Sequence, residues 1–163
     1  MLLVPEIDEC KTRANARKLL STYRKKKRRI VGKSIDPYSL IRSPEITDEP
    51  MNHSNVNSLE KTMVHKLRNV HQIDVFSKEI EQIDSTIDSL SNVSKRILKL
   101  SYCDPDKLTI RDIAFKLEIY QYNIEGRLER VIYSEKNIEK LKSQALVEFA
   151  EAYSGDDLVV LKK

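Results

Sequence analysis

The side chains best equipped to recognise something cluster in one stretch. Gln121 and Asn123 each pair an amide donor with an acceptor, the combination that reads adenine in the major groove. Arg127 and Arg130 carry the guanidinium fork that matches guanine or a phosphate. Tyr122, with Tyr120 two residues before it, can stack on a base, touch a phosphate or simply pack. These residues sit in and just after Asp112-Ile113-Ala114-Phe115-Lys116-Leu117-Glu118-Ile119-Tyr120-Gln121-Tyr122-Asn123-Ile124-Glu125-Gly126-Arg127-Leu128. Ile113 and Leu117 share a face of a first helix, and Ala114 is small where two helices would cross. Ile119 fills the turn, and Ile124 and Leu128 anchor a second helix from about 121 to 131. This is the pattern of a helix-turn-helix, whose second helix lies in the major groove. Glu118 departs from it, because glycine commonly makes the turn. A plain helical hairpin satisfies the same spacing.

Catalytic and metal chemistry have no comparable support. His53, His65 and His71 are the three histidines, and none stands at a metal-ligand spacing with Cys10 or Cys103. No Ser-His-Asp order, Walker loop or GxSxG occurs. Asp104 and Asp106 flank Pro105, where a capping role explains them. The reading is therefore a non-enzyme with no cofactor and no metal. Two isolated thiols fit a reducing compartment, and no run approaches 18 apolar residues, so a cytoplasmic protein without a membrane span is expected.

Charge is unevenly placed. Residues 1–33 hold Lys11, Arg13, Arg17, Lys18, Arg24, Lys25, Lys26, Lys27, Arg28, Arg29 and Lys33 against Glu6, Asp8 and Glu9, hence +8 of a net +4. Six successive cations, Arg24 to Arg29, repel one another without a polyanion, so this arm suits nucleic acid. A solvated helix face is the bland alternative. The segment 109–146 has seven Lys/Arg and six Asp/Glu, low for a free-standing DNA-binding domain, and the arm can supply the missing phosphate neutralisation.

The elements that must position these groups read as helices. With 3 glycines in 163 residues the chain is too poor in turns for an all-β fold. Pro5 and the acidic first turn open a helix over about 6–30, whose thin apolar set (Ile7, Cys10, Ala14, Leu20, Tyr23) predicts weak docking. Pro37, Pro44 and Pro50 mark a linker over 34–56. Then Leu59, Met63, Leu67, Val70, Ile73, Phe76, Ile80, Ile83, Ile87 and Leu90 recur at steps of three and four, one stripe along a helix. Such a stripe, about 48 Å long at 1.5 Å per residue, packs on its own domain or on a second copy, with a homodimer slightly favoured. Three short helices follow over 91–131, the first capped by Ser91 or Ser94 and the second by Thr109 with Asp112. Ser134 and Glu135 start a last helix with Ile138, Leu141, Ala145, Phe149 and Tyr153 on one face and Gly155 at its end. Leu158-Val159-Val160-Leu161 forms a short strand or tucks against the core.

With the helix Leu90 to Tyr102 in front, the 109–131 region resembles the promoter-binding region of bacterial sigma factors. The whole chain also resembles the ArpU family of phage-encoded transcriptional regulators of Gram-positive bacteria. The residues that carry this are Pro5-Glu6-Ile7-Asp8 with its basic helix, Ser43-Pro44-Glu45-Ile46-Thr47-Asp48-Glu49-Pro50, and Leu146-Val147-Glu148-Phe149-Ala150-Glu151-Ala152-Tyr153, in that order. In that family a Tyr-Ser pair opens the helix that runs into the Ala-Leu-x-x-Phe-Ala stretch. Here the pair is Tyr133-Ser134, well after the helix-turn-helix read from packing. Two registers stay open. In one the recognition helix is about 121–131, with Gln121, Asn123, Arg127 and Arg130. In the other, implied by the resemblance, it starts at Ser134 and bears Lys136, Asn137 and Lys140.

The expectation is an all-α protein: a basic N-terminal helix (1–33), a Pro-rich linker (34–56) and a helical domain (57–163) with a helix-turn-helix at about 109–153. The resemblance implies a sequence-specific DNA-binding regulator of phage or prophage late genes for packaging or lysis. The expected partner is double-stranded DNA, and host RNA polymerase is a candidate for a further one. The rival readings are a small terminase subunit and a protein-only anti-sigma or polymerase adaptor.

Overall fold

The computed structural model describes residues 6–32, 54–117, 119–122, 124–155 and 157–162; for 54–60, 62, 119, 121, 122, 129 and 131 it describes the backbone alone. The protein is helical, as the periodicity predicts. The order is α1 (Glu9–Ser21), α2 (Tyr23–Gly32), α3 (Ser54–Ser89), α4 (Asn92–Leu98) continued by a π turn (Lys99–Cys103), α5 (Ile110–Lys116), β1 (Ile119–Tyr122), β2 (Leu128–Val131) and α6 (Glu135–Ala152). The linker expected over 34–56 lies outside the described residues up to 53, and its last three residues are the first turn of α3. Two compact units are formed, one by Met1–Lys25 with Ile80–Lys163 and one by Lys26–Glu79.

In the first unit, α6 is the central helix. Its buried face, Ala145, Leu146, Phe149 and Ala150, meets Ala16, Leu20 and Tyr23 from the N-terminal segment, Ile83 and Ile87 of α3, Leu98 of α4 and Leu158 of the tail. The first helix is thus firmly docked, which corrects the weak docking expected of it. Its seam is Thr12-Ala16-Leu20-Tyr23, all buried, whereas Cys10 and Ala14 are exposed. A threonine and an alanine at spacings of four complete a stripe that a count of large apolar residues overlooks. The expected single helix is also two: Thr22, its amide and hydroxyl both donating to the Leu19 carbonyl, breaks it.

The two ends of the chain clasp each other. Ile7 and Leu161 form an antiparallel bridge, the Asp8 amide donates to the Val160 carbonyl at 2.6 Å, and the Lys162 amide donates to the Glu6 carbonyl at 2.8 Å. Thr12, fully buried, accepts from the Val160 amide through its hydroxyl at 3.0 Å, and the Tyr23 hydroxyl donates to the Asp84 carboxylate at 2.9 Å, so both polar groups of the seam are satisfied. Asp8 caps α1 by accepting from the Lys11 amide. The apolar tail therefore tucks against the core.

Other local expectations are met or corrected residue by residue. Ser91 caps α4, and Thr109 and Asp112 form a full reciprocal capping box on α5. Gly155 is corrected. Among the described residues the only positive φ belongs to Gly126, so Gly155 is no left-handed cap. A Cβ at Gly155 would instead lie 2.5 Å from the ring of Tyr153, which stacks on Phe149 with centroids 5.5 Å apart.

The third short helix, expected near 121–131, is also corrected. Residues 119–131 form a two-stranded antiparallel hairpin that pairs Ile119 with Val131, Tyr120 with Arg130, Gln121 with Glu129 and Tyr122 with Leu128. Ile, Tyr and Val favour a pleated strand, and Gly126, at φ +73°, provides the left-handed residue that a hairpin loop needs. The three-and-four spacing of Ile124 and Leu128 is coincidental to helix.

In the second unit, Lys26 pairs with Glu79 at 2.5 Å and the Arg29 guanidinium lies over the Phe76 ring, 6.0 Å from its centroid. Met63 and Leu67, both on the expected stripe, are 62% and 60% exposed.

The clasp yields a first prediction. Thr12→Val keeps the shape but leaves the part-buried Val160 amide without its acceptor, which costs about 1 kcal/mol. Urea unfolding should show that loss, and the Val160 amide should exchange with solvent faster than in the parent.

Candidate nucleic-acid interface

Three helices meet around Ile97, Ile113, Leu117 and Ile138, with Val93, Leu100, Leu108, Tyr133 and Leu141 packed around them. Ile113 and Leu117 belong to α5 and its end, Ile97 to α4 and Ile138 to the first turn of α6. Ser134 caps α6 by accepting from the Asn137 amide at 3.3 Å. The connection between α5 and α6 is the hairpin, not a tight turn. The hairpin is tied back to α5 by Arg130, whose Nη2 donates to the Phe115 carbonyl at 2.5 Å.

The residues of the two registers land in different places. Gln121 and Tyr122 are in β1, and of them only the backbone is described; Asn123 lies outside the described residues. Arg127, at the hairpin loop, has a side chain 80% exposed, 3.8 Å from the Glu125 carboxylate. Arg130 is spent on holding the hairpin. In the other register, Lys136, Asn137 and Lys140 are all exposed on the first two turns of α6. At 100° per residue, Lys136 and Lys140 point away from buried Ile138. Gln144 is exposed one turn further along this row, a residue that sequence reasoning passes over although its i+4 spacing from Lys140 marks it. A shallow cavity of about 510 Å³ runs beside the row, lined by Lys140, Gln144, Ser143 and, from α1, Glu9 and Arg13.

Within the basic run, several charges have partners inside the protein. Arg24 donates through Nε to the Asp104 carbonyl at 2.6 Å and through Nη2 to the Ser101 and Asp106 carbonyls at 3.0 Å each. It satisfies carbonyls at the end of the π turn, where a cation is favoured. Lys26 and Arg29 have the partners described above. Lys25, Lys27 and Arg28 are exposed. Among the described residues no group of three His, Cys, Asp or Glu is placed to hold a metal ion, and no helix is long and apolar enough to cross a membrane.

The hairpin also carries apolar surface. Tyr120, Ile124, Leu128 and Ile132 are exposed, Ile124 completely, and Phe115 at the end of α5 adds to them.

The capping box that starts α5 titrates. Asp112 accepts from the Thr109 hydroxyl at 2.7 Å and the Thr109 amide at 2.9 Å, and these bonds hold its carboxyl below its ordinary 3.8. A depressed carboxylate contributes stability above the ordinary value and loses it as pH falls through the depressed one. A carbon-detected NMR titration should therefore place the Asp112 midpoint below 3.8. Thr109→Ala should raise it toward that value, and α5 amide protection should decline over the same acidic window.

Comparison with known proteins adds one relative. No protein-family model matches the chain, and no solved structure does. The chain is 33% identical over 162 residues to the "Putative autolysin regulatory protein ArpU" of Enterococcus hirae, covering 99% of this chain and 100% of that one. The shared segment takes in both clasped ends, the capped α5 and the Ser134-capped α6. At that identity over the full length of both proteins, the chain belongs to the ArpU family.

Proposed function

We propose that the protein is a regulator that binds double-stranded DNA sequence-specifically, with α6 as its reading helix. The observation that carries this is the division of α6 into two faces. One face, from Ile138 to Phe149, is fixed in the core, and the other presents exposed Lys136, Asn137 and Lys140 from a capped N-terminus. A helix held rigidly on one side with amide and ammonium groups on the other is what major-groove reading requires. The α5–α6 pair acts as a helix-turn-helix with the hairpin inserted in its turn. Its relative's description as a regulatory protein supports a regulatory role. The target is a promoter-proximal site for phage or prophage late genes, and the regulator acts as an activator that also contacts host RNA polymerase. Lys25, Lys27 and Arg28 add sequence-independent phosphate contacts. Exposed Met63 and Leu67 form the seam for a second copy.

A protein-only adaptor is the second reading. The apolar surface of the hairpin favours it, since exposed clusters of large apolar residues mark protein contacts.

Footprinting on the DNA that flanks the gene, at about 150 mM salt where nonspecific binding is weak, separates the two. One protected site is expected. Lys140→Ala should weaken it by about 1–3 kcal/mol, roughly 5- to 150-fold, and Arg127→Ala should leave it unchanged. Joint replacement of Lys25, Lys27 and Arg28 by Gln should lower the salt dependence without shifting the site. Truncating the N-terminal segment is not the equivalent test, because it removes Ala16, Leu20 and Tyr23 from the core. Uniform protection, or none, overturns the DNA reading and leaves the adaptor.

A further inference from the structure

We propose that the cavity between α1, the π turn and α6 binds a phosphate group through Arg17, Lys142, Tyr102 and Ser143. This goes beyond the DNA reading and does not depend on it.

The cavity encloses about 410 Å³ and is lined by those four residues with Ile110, Glu139 and Leu146. Its cations come from two elements. Arg17 stands on α1, and Lys142, on α6, is half-buried with its ammonium 4.9 Å from the centroid of the Tyr102 ring. Arg24 lies close enough to Lys142 to add to the positive field there. Neither Arg17 nor Lys142 forms an ion pair among the described residues. Glu139 is exposed and compensates at most one of the charges.

Such an arrangement costs stability unless an anion completes it. Burial disfavours the Lys142 ammonium, and the neighbouring Arg17 and Arg24 disfavour it further, so its pKa is lowered from the ordinary lysine value. A structural lysine would pair with a carboxylate or lead its ammonium into water. Here it is held over an aromatic ring, beside a second cation and two hydroxyls. Arg17 faces the Tyr102 hydroxyl and can donate to it, leaving the phenolic proton for a ligand. Ser143 currently donates to the Glu139 carbonyl at 2.9 Å and keeps acceptor capacity and a free rotor. Two cations and two hydroxyls around one opening match a tetrahedral oxyanion of charge near −2. The phosphate can belong to a free phosphorylated small molecule or to a nucleic-acid backbone.

Thermal unfolding of the full chain tests this, with inorganic phosphate as the probe and chloride at equal ionic strength as the reference. Phosphate should raise Tm above the chloride value by about 2–5 °C. Lys142→Met and Arg17→Gln should each abolish that difference, and Lys142→Arg should keep most of it. Arg17 is exposed, so its variant reports even where Lys142→Met fails to fold. Equal Tm in phosphate and chloride, or a difference that survives Arg17→Gln, overturns the proposal. A second arm assigns the source. If phosphate releases a bound DNA duplex and Arg17→Gln weakens duplex binding, the site takes a backbone phosphate. If duplex binding is indifferent to both, it takes a free ligand. A protein that binds no DNA at all would fail the function proposed above while the phosphate-specific Tm difference still stood.

Discussion

Phe149 is the side chain on which most of this structure depends. It is fully buried in the last turn of the last helix, stacked on Tyr153, and surrounded by residues from α1, α3, α4 and the tail. Removing an aromatic from such a position costs about 3–5 kcal/mol, a large part of what holds a domain of this size. The helix that carries it is also the one that offers exposed amide and ammonium groups at its other end. Burial at the C-terminal half thus fixes the direction in which the N-terminal half points. The neighbouring cluster at Ile97, Ile113, Leu117 and Ile138 fixes the rotation.

The chain ends serve the same helix. The bridge between Ile7 and Leu161 and the bond from Val160 to Thr12 close the unit around α1, which packs directly on α6. This gives physical content to the sequence features that the family resemblance rests on. Ile7 makes the bridge and Asp8 makes the cap. The Leu146 to Tyr153 stretch supplies Leu146, Phe149 and Ala150 to the buried face of α6, and Phe149 and Tyr153 as its closing aromatic pair. Arg24, read in isolation as a cation for a polyanion, is used to finish the π turn. A basic run is therefore not a measure of free positive charge.

Much of the fold was legible because its signals are local and periodic. The stripe on the long helix, the caps at Ser91, Thr109 and Ser134, and the apolar face of α6 follow from spacing and side-chain chemistry alone. The seam of α1 was not, because Thr12 and Ala16 look neutral until a partner buries them. The hairpin escapes a sequence reading for a different reason. Over 119–131 the strand-forming residues also satisfy a helical spacing at Ile124 and Leu128, and only the tertiary setting decides. The candidate site was therefore half legible. Lys136, Asn137 and Lys140 came from the resemblance, whereas Gln144, on the same row, was passed over and the cavity at Lys142 had no sequence signature. Its members stand on three elements far apart in the chain.

The central claim is that α6 is at once the core helix and the surface that meets DNA. Hydrogen exchange on the full chain, free and with the footprinted duplex, addresses it most directly. The account predicts that added slowing on DNA is concentrated at residues 135–144, while the already protected 145–152 barely changes. Slowing confined to the hairpin at 119–131, with the first half of α6 unaltered, would contradict it.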